Sequence, residues 1–553
     1  MSYIIGISAY YHDSSACLFK DDKLIFACEE ERFTGIKHDN SFPKNTVKYI
    51  FDKFNLKKSD IECVCYYENP KIRLKRIKSY FKSLKNIVKV YYNLKKISDR
   101  IHFTKHHMSH MMYSYLSSNF DDATIVSLDG VGEVETMSIG KGVNGKVKQM
   151  KGTNYPHSLG LFYSAMTAFL GFKPNEGEYK VMGLASYGNP NIYYDKIKKL
   201  IKFSDSMCEN NIICDMAYFT WNKSETLMFD YRLEDFLGLD CRLPNTEINQ
   251  KHKDLAAAVQ KVYEDIFFVI IEYAKDLCGS DNLCLGGGCA YNGTANGKVT
   301  ERKIFSKVWI PPAPSDAGSS IGTCLDYLTN FKGMSVRLDE TPFLGPSYDE
   351  KEIYSEICST MLLPGGHFDY EKLSNDELLV KVSEYLSEGL VVGWFRDNIE
   401  FGARALGNRS ILANPTLPNM KDKINAVIKK REGFRPFAPM VCYDKQNKYF
   451  NSSDFIPYMN QVVKVKFEYR NKLPAITHID GTARVQSVTP SNSIYKLLIE
   501  FEKLSGYPIL LNTSFNIKDR TMVLTPKDAV WTFLNTDMDI LVMGDYLLKK
   551  EKI

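Results

Sequence analysis

The chain has 553 residues, more than one hydrophobic core serves, so two or more domains are expected. Hydrophobic residues make up 44% and charged residues 25%, ordinary values for a soluble globular enzyme, and the net charge of +5 gives no general case for nucleic acid. No stretch reaches the roughly 18 uninterrupted apolar residues of a membrane helix. The opening Met-Ser-Tyr-Ile-Ile-Gly-Ile lacks the parts of a signal peptide and reads as a first β-strand. The 13 cysteines are scattered without a Cys-x-x-Cys pair, which excludes a zinc knuckle and points to reduced, buried thiols in the cytoplasm.

In chain order, Ile4 to Ser8 is a short β-rich run, Tyr11 to Ser15 a polar turn, and Ala16 to Lys20 a second strand. Asp21-Asp22 is a hairpin signal, with Leu24 to Cys28 as the partner strand. Lys71 to Lys105 holds twelve Lys or Arg against one acid, Asp99, with Ile77, Tyr80, Phe81, Leu84, Ile87, Tyr91 and Leu94 at helical spacing. This spacing predicts a basic amphipathic helix packed by its apolar face, with solvated lysines outside; a membrane, nucleic acid or an anionic acceptor is the competing reading of the same charge. Ala123 to Leu128 is a strand ending in Asp129-Gly130, and the chain resumes as a strand near Thr136 to Ile139. Leu159 to Leu170 and Lys253 to Lys275 are helices with one apolar side, and the strand Asn282 to Leu285 runs into Gly286-Gly287-Gly288. The proline- and glycine-punctuated Thr341 to Pro346 divides a unit of residues 1–345 from one of 346–553. Beyond it come a helix at Leu373 to Leu386 and a strand at Leu390 to Phe395. The pattern is α/β, with polar or glycine tips at strand ends, where such folds place ligand chemistry.

Of ten histidines, four lie between His102 and His110. His106 and His110 are four apart, so on a helix they share one face and can grip one ion, while His107 lies off that face. Asp129, at a strand end, and Asp316, in Pro-Ser-Asp-Ala-Gly, are the candidates to complete the shell. Two imidazoles with two carboxylates suit Fe, Mn or Zn.

Three loops carry small and polar residues: Gly6 to Ala16, Ser127 to Glu133 and Gly286 to Gly293. Together they resemble the ATP-binding folds of the actin, Hsp70 and sugar kinase superfamily, with duplicated RNase H-like cores. That resemblance implies phosphate binding by backbone N–H groups in the first two loops, Gly130 included, and nucleoside contact at Gly286, Gly287, Gly288 and Asn292. His12-Asp13-Ser14-Ser15-Ala16, Glu29-Glu30-Glu31-Arg32-Phe33-Thr34, the His106–His110 pair, Asp129-Gly130 and Gly286 to Ala290 then occur in the order of the NodU/CmcH O-carbamoyltransferase family. The N-terminal half is also similar to the metal-dependent enzyme of tRNA threonylcarbamoylation.

The C-terminal half holds Glu400 to Ser410, Arg431 to Pro439, Gly481 to Gln486 and Asn512 to Asn516. Arginines set among glycine, proline and aromatic residues differ from solvated surface charge and suit phosphate; the competing reading is a buried brace. These motifs resemble the YrdC-like α/β domain of the same family. The resemblance implies that Lys421, Arg431, Arg484, Ser514 and Asn516 meet carbamoyl phosphate or ATP, with Arg404 a further candidate. Where the family carries Gly-Arg-Met-Glu before Phe-Gly-Pro-Arg, this chain has Asp397-Asn398-Ile399-Glu400 and Ala403, with Arg396 as the nearby arginine.

By the same resemblance, the C-terminal half makes carbamoyl-adenylate from carbamoyl phosphate and ATP with Mg2+. The N-terminal half passes the carbamoyl group to a hydroxyl of a small molecule, a sugar, antibiotic or other natural product. His12 is the expected base, with Lys37 aiding charge stabilisation and Fe2+ the first expectation for the ion, ahead of Mn2+ and Zn2+. The rivals are a tRNA-modifying enzyme, which the modest charge and fused C-terminal half disfavour, and a non-catalytic ATP switch, which needs neither the histidine pair nor the arginines. No motif specifies the acceptor or an oligomeric state.

Overall fold

The computed structural model describes residues 2–73, 80–204, 211–224, 227–339, 341–363, 367–429 and 437–550. The chain is mixed α/β and forms two compact units, residues 1–30 with 38–340, and residues 31–37 with 341–553. A single cut near residue 345 does not describe this division, because the short segment 31–37 packs with the second unit: the Arg32 guanidinium donates to the Gly402 carbonyl at 2.8 Å, and Phe33 packs on Ile399, Ala405, Met522 and Leu524.

In the first unit, β1 (Tyr3–Ser8), β2 (Ser15–Lys20), β3 (Lys23–Glu29), β4 (Ile61–Tyr66) and β5 (Ile101–Phe103) form a sheet in the order β3-β2-β1-β4-β5. The first three strands pair antiparallel, and β4 and β5 join parallel. A second sheet repeats this plan. Here β6 (Asp122–Leu128), β7 (Glu135–Val143) and β8 (Lys146–Asn154) are antiparallel, and β9 (Asn282–Gly286) and β10 (Lys307–Trp309) add in parallel beside β6. Five of the six residues of β1 are buried, as expected of a central strand flanked by parallel and antiparallel neighbours.

Three helices position the site: α1 (His106–Leu116), α2 (Gln250–Cys278) and α3 (Asp316–Asp326). The apolar stripe of α2 extends beyond 253–275 because Asn249 caps its first turn and Gly279 ends it in the left-handed conformation. The basic run is helical at Pro70–Arg73 and Tyr80–Ile97, with Val90, Leu94 and Ile97 buried. Ile77 and the side chains of Tyr80, Phe81 and Leu84 lie outside the described residues. The run does not stay helical to Lys105: it leaves the helix at Ser98 and becomes β5.

The second unit is built on an eight-stranded sheet of β11 (Phe368–Lys372), β12 (Val392–Phe395), β13 (Arg409–Ala413), β14 (Ala438–Cys442), β15 (Gln486–Val488), β16 (Ile509–Ser514), β17 (Ile540–Met543) and β18 (Tyr546–Lys550). Its order is β11-β18-β17-β12-β13-β16-β14-β15. Helices α4 (Asn375–Ser387) and α5 (Ile494–Ser505) cover one face, where Leu378, Val382, Leu497 and Phe501 meet Trp394, Leu412 and Leu510. Strands β12 and β17 are parallel, and β13 runs antiparallel to both β12 and β16. Phe395, Ser514 and Met543 therefore end at one edge of the sheet, where Arg409 begins its strand.

Candidate functional site

Helix α1 places His106 and His110 on one buried face, and Asp129 follows the last residue of β6. Asp316 opens α3. The two helices approach at backbone contact because α3 presents Gly322 to α1: a Cβ at Gly322 would lie 1.9 Å from the Ser109 carbonyl oxygen, and one at Gly318 2.5 Å from the Tyr113 ring. Gly287, at φ +83, lets the third loop lie on β6, where a Cβ would lie 2.2 Å from the Leu128 carbonyl oxygen. The Gly288 N–H donates to Asp129 Oδ1 at 3.2 Å.

These contacts bring His106, His110, Asp129 and Asp316 together, with one ligand atom of each within 4.8 Å of the others. His106 Nε2 lies 3.0 Å from Asp129 Oδ2, 3.5 Å from Asp316 Oδ1 and 3.0 Å from His110 Nε2. His110 Nε2 is 3.6 Å from each carboxylate. Ligands about 2.1 Å from a shared ion stand about 3.0–3.4 Å apart, so the spacing fits one ion. Both Asp316 oxygens are buried without a hydrogen-bond donor. A bare buried carboxylate is costly unless a cation meets it, and the mixed nitrogen and oxygen set suits Fe, Mn or Zn.

His12 stands beside this quartet, its Nε2 3.9 Å from Asp316 Oδ2 and its Nδ1 3.0 Å from Asp13 Oδ2. Burial disfavours a charged ring, yet Asp316 and Asp13 outweigh it and push the His12 pKa up to about 10. His106 is pushed up to about 9 in the same way, by Asp316 and Asp129 against burial. The Asp129 carboxyl, though buried, is held well below the usual carboxylate range by His106 and His110. His107 is fully buried, off the shared face, with neither ring nitrogen hydrogen-bonded. Lys37 is exposed and belongs to the segment that packs with the second unit.

Among the loop residues, the Gly130 carbonyl accepts from Ser158 Oγ at 2.7 Å, and Gly286 lies against the His110 backbone. Asn292 caps the helix Gly293–Glu301 through the Ala295 N–H and exchanges hydrogen bonds with Gln260, so its side chain already has a structural task. Glu133, which sequence reasoning passed over, accepts from the His106 N–H at 3.0 Å and the Asn69 N–H at 2.7 Å, and so fixes the first turn of α1. Its place in Asp-Gly-Val-Gly-Glu was the available signal.

In the second unit Ser514 ends β16, and its hydroxyl donates to Asn516 Oδ1 at 2.7 Å. Lys429, 3% exposed, donates to both carbonyls and both side-chain oxygens of this pair at 2.5–3.2 Å. Sequence reasoning singled out Arg431 in Ile-Lys-Lys-Arg-Glu and not Lys429, two residues before it. Arg484 ends the short strand Thr482–Arg484, opposite Val462. Lys421 is partly buried, and burial lowers its pKa. Arg404 is partly buried, and Arg431 lies outside the described residues. The Arg396 guanidinium donates to Asn375 Oδ1 at 2.9 Å and Asp545 Oδ1 at 3.1 Å, and lines a cavity of about 390 Å³ with Tyr348, Glu350 and Tyr546. Arg409 is a brace: fully buried over the Phe395 ring, it donates to the carbonyls of Arg396, Asp397 and Asn408. Glu400 accepts from the N–H groups of Leu406, Asn408 and Arg409, which closes the same loop.

A two-unit α/β protein with a buried four-ligand cluster is, as a class, a candidate metal-dependent enzyme. The chain belongs to the carbamoyltransferase family and is a carbamoyltransferase. The model of the carbamoyltransferase N-terminus matches residues 3–85 and 76–325, and that of the carbamoyltransferase C-terminus matches residues 383–550. It is 35% identical over 565 residues to nodulation protein NolNO of Sinorhizobium fredii, covering 98% of this chain and 80% of that protein. Protein sll1178 of Synechocystis is 36% identical over 606 residues, covering 100% and 97%. Among solved structures, component A of the Acidaminococcus fermentans (R)-2-hydroxyglutaryl-CoA dehydratase overlaps loosely, at TM-score 0.32 and 14% identity, over 59% of this chain and 97% of that one. Among the described residues, no helix is long and apolar enough to cross a membrane.

Proposed function

We propose that the protein is an ATP-dependent O-carbamoyltransferase that activates carbamoyl phosphate as carbamoyl-adenylate and transfers the carbamoyl group to a hydroxyl of a small molecule. The observation that carries the transfer half is the buried quartet, and above all the Asp316 carboxylate that no donor satisfies. His106, His110, Asp129 and Asp316 would hold a divalent ion, Fe2+ or alternatively Mn2+ or Zn2+. When bound, the ion supplies Lewis acidity toward phosphate and carbonyl oxygens. The repeated five-strand plan supports an actin- and sugar-kinase-like nucleotide fold for the first unit, and the second unit is read as YrdC-like.

By the family resemblance, Lys421, Arg431, Arg484, Ser514 and Asn516 would meet the phosphate groups of carbamoyl phosphate or ATP, and Lys429 holds the Ser514–Asn516 corner in place. Carbamoyl phosphate is hydrolysed to carbamate and phosphate. A carbamate oxygen then attacks the α-phosphorus of ATP, and pyrophosphate leaves. In the first unit, an acceptor hydroxyl attacks the carbamoyl carbon. The bond from that carbon to the phosphate oxygen of AMP breaks, and the hydroxyl proton passes to His12 Nε2. Asp13, bonded to His12 Nδ1, orients the ring and stabilises its charge. His12 serves as a base only when the charge of Asp316 is otherwise engaged, since the bare carboxylates keep the ring protonated.

Exchange of labelled pyrophosphate into ATP, dependent on carbamoyl phosphate, tests the first half. A gain of one carbamoyl mass on a hydroxyl-bearing acceptor tests the second. Exchange without carbamoyl phosphate, or transfer without ATP, rejects the scheme.

A further inference from the structure

From Lys71 to Lys96 the chain holds ten Lys or Arg and no Asp or Glu, whereas exposed helix faces ordinarily mix both signs. The place of this run in the fold gives the charge a use. Strands β1, β4 and β5 are parallel, so Ser8, Tyr66 and Phe103 end at one edge of the sheet, and the loop bearing His12 leaves from that edge. The helix Tyr80–Ile97 crosses from β4 to β5 and so descends against both strands. Its lower end is tied at the opposite edge, where Ser98 Oγ donates to the Ile61 carbonyl at 3.2 Å. Tyr91 lies against Phe103 with ring centres 5.2 Å apart, so the helix passes the His12 edge near Tyr91. At about 1.5 Å per residue, the part from Tyr80 to Lys89 rises roughly 15 Å beyond that edge.

The helix meets the His12 loop there. Asn93 Nδ2 donates to the Tyr10 hydroxyl at 2.6 Å, and the Lys89 ammonium lies 4.8 Å over the Tyr10 ring. Tyr10 stands at φ +75, a conformation that side-chain-bearing residues keep only where their surroundings fix it, and one that gathers at ligand-binding loops. Tyr10 and His12 are two residues apart, so chain and side-chain lengths keep this ammonium within about 20 Å of the imidazole. The acids at the start of the run are spent. Glu68 accepts from Arg73 at 2.7 Å, and Glu133 from the N–H groups of Asn69 and His106. Lys89 is exposed, and no carboxylate among the described residues pairs with it. A cationic arm beside the transfer centre is complementary to an anion small enough to span both.

We infer that the acceptor is a water-soluble, phosphate-bearing hydroxyl compound, a sugar phosphate or a nucleotide-linked sugar, whose phosphate is held on this helix, with Lys89 foremost, while its hydroxyl lies at His12. The inference rests on the reading that the first unit passes a carbamoyl group to a hydroxyl, and it adds no covalent step.

The test supplies the metal-loaded full chain with ATP, carbamoyl phosphate labelled in its carbon, and an extract of the cells that make the protein. The label is expected in the water-soluble fraction, on a product that an anion exchanger retains. Phosphatase alone abolishes that retention for a sugar phosphate, and phosphodiesterase followed by phosphatase for a nucleotide-linked sugar. Label on a neutral or cationic product, on an anion that both treatments leave unchanged, or in the lipid or nucleic-acid fraction overturns the inference. With the retained fraction as acceptor, Lys89→Ala is expected to raise the acceptor KM about fivefold at constant kcat, and Lys89→Arg to restore it. Added salt is expected to raise the wild-type KM. A fall in kcat with KM unchanged in Lys89→Ala makes the lysine a support of the loop and also overturns the inference. No labelled product in any fraction counts against the transfer reading itself, so the two failures are distinct.

Discussion

Metal binding should be steeply pH-dependent, and the direction follows from the quartet. In the ion-free protein His106 titrates at about 9 and His12 at about 10, because each is buried near carboxylates whose charge is uncompensated. An imidazole must be neutral to ligate, so His106 gives up a proton when an ion binds below pH 9. The association constant should therefore rise about tenfold per pH unit from pH 7 to 9, and the slope should fall above 9. If His12 discharges as Asp316 is engaged, the slope approaches about two protons per ion. Stability has the opposite sign. Histidines whose folded pKa is raised stabilise the ion-free fold fully below their unfolded value of about 6.5, and that contribution is lost as pH rises through 9 and 10. Chelator competition with Mn2+ at pH 6.5, 7.5 and 8.5, paired with calorimetry in buffers of different ionisation enthalpy, reads both proton count and slope. An affinity that is flat over this range would refute the electrostatics drawn from the quartet.

Gly322→Ala puts a methyl group 1.9 Å from the Ser109 carbonyl oxygen and must push α1 from α3; a loss of about 1–3 kcal/mol in stability and substoichiometric metal are expected from thermal melts and elemental analysis. His110→Ala should leave carbamoyl-phosphate-dependent ATP–pyrophosphate exchange intact while reducing acceptor carbamoylation by at least about 100-fold, as judged by mass spectrometry. Lys429→Met removes an ammonium that holds four oxygens of Ser514 and Asn516; exchange should fall to background, with about 3 kcal/mol of stability lost in denaturant melts. Unchanged exchange in that variant would remove Lys429 from the account.

The strands and major helices were legible because their hydrophobic runs and turn residues are local signals: Ile4 to Ser8, Ala123 to Leu128 and Asn282 to Leu285 all fall within observed strands. The meeting of His106, His110, Asp129 and Asp316 was legible too, since a four-residue spacing shares a helix face and both aspartates stand at the ends of secondary-structure elements. What remained hidden depends on approach between distant segments. The contact of Gly322 with Ser109 spans over 200 residues, and it sets how close Asp316 comes to His110. The partner of the Arg396 guanidinium, Asp545, stands 149 residues later, and no local pattern announces that pairing. Asn292, which the superfamily resemblance places at the nucleoside, also caps the helix Gly293–Glu301, a task visible only in the structure. Arg409 shows that an arginine inside a compact motif can serve backbone carbonyls instead of ligands. The excursion of residues 31–37 leaves no compositional mark, because one arginine and one phenylalanine decide where that segment packs.

The most direct measurement separates the nucleotide products formed while a carbamoyl group is transferred. Purified, metal-loaded protein supplied with carbamoyl phosphate, ATP and a hydroxyl-bearing acceptor should yield AMP and pyrophosphate in a 1:1 ratio with carbamoylated product. Formation of ADP in their place, or carbamoylation with ATP left intact, contradicts activation at the α-phosphate.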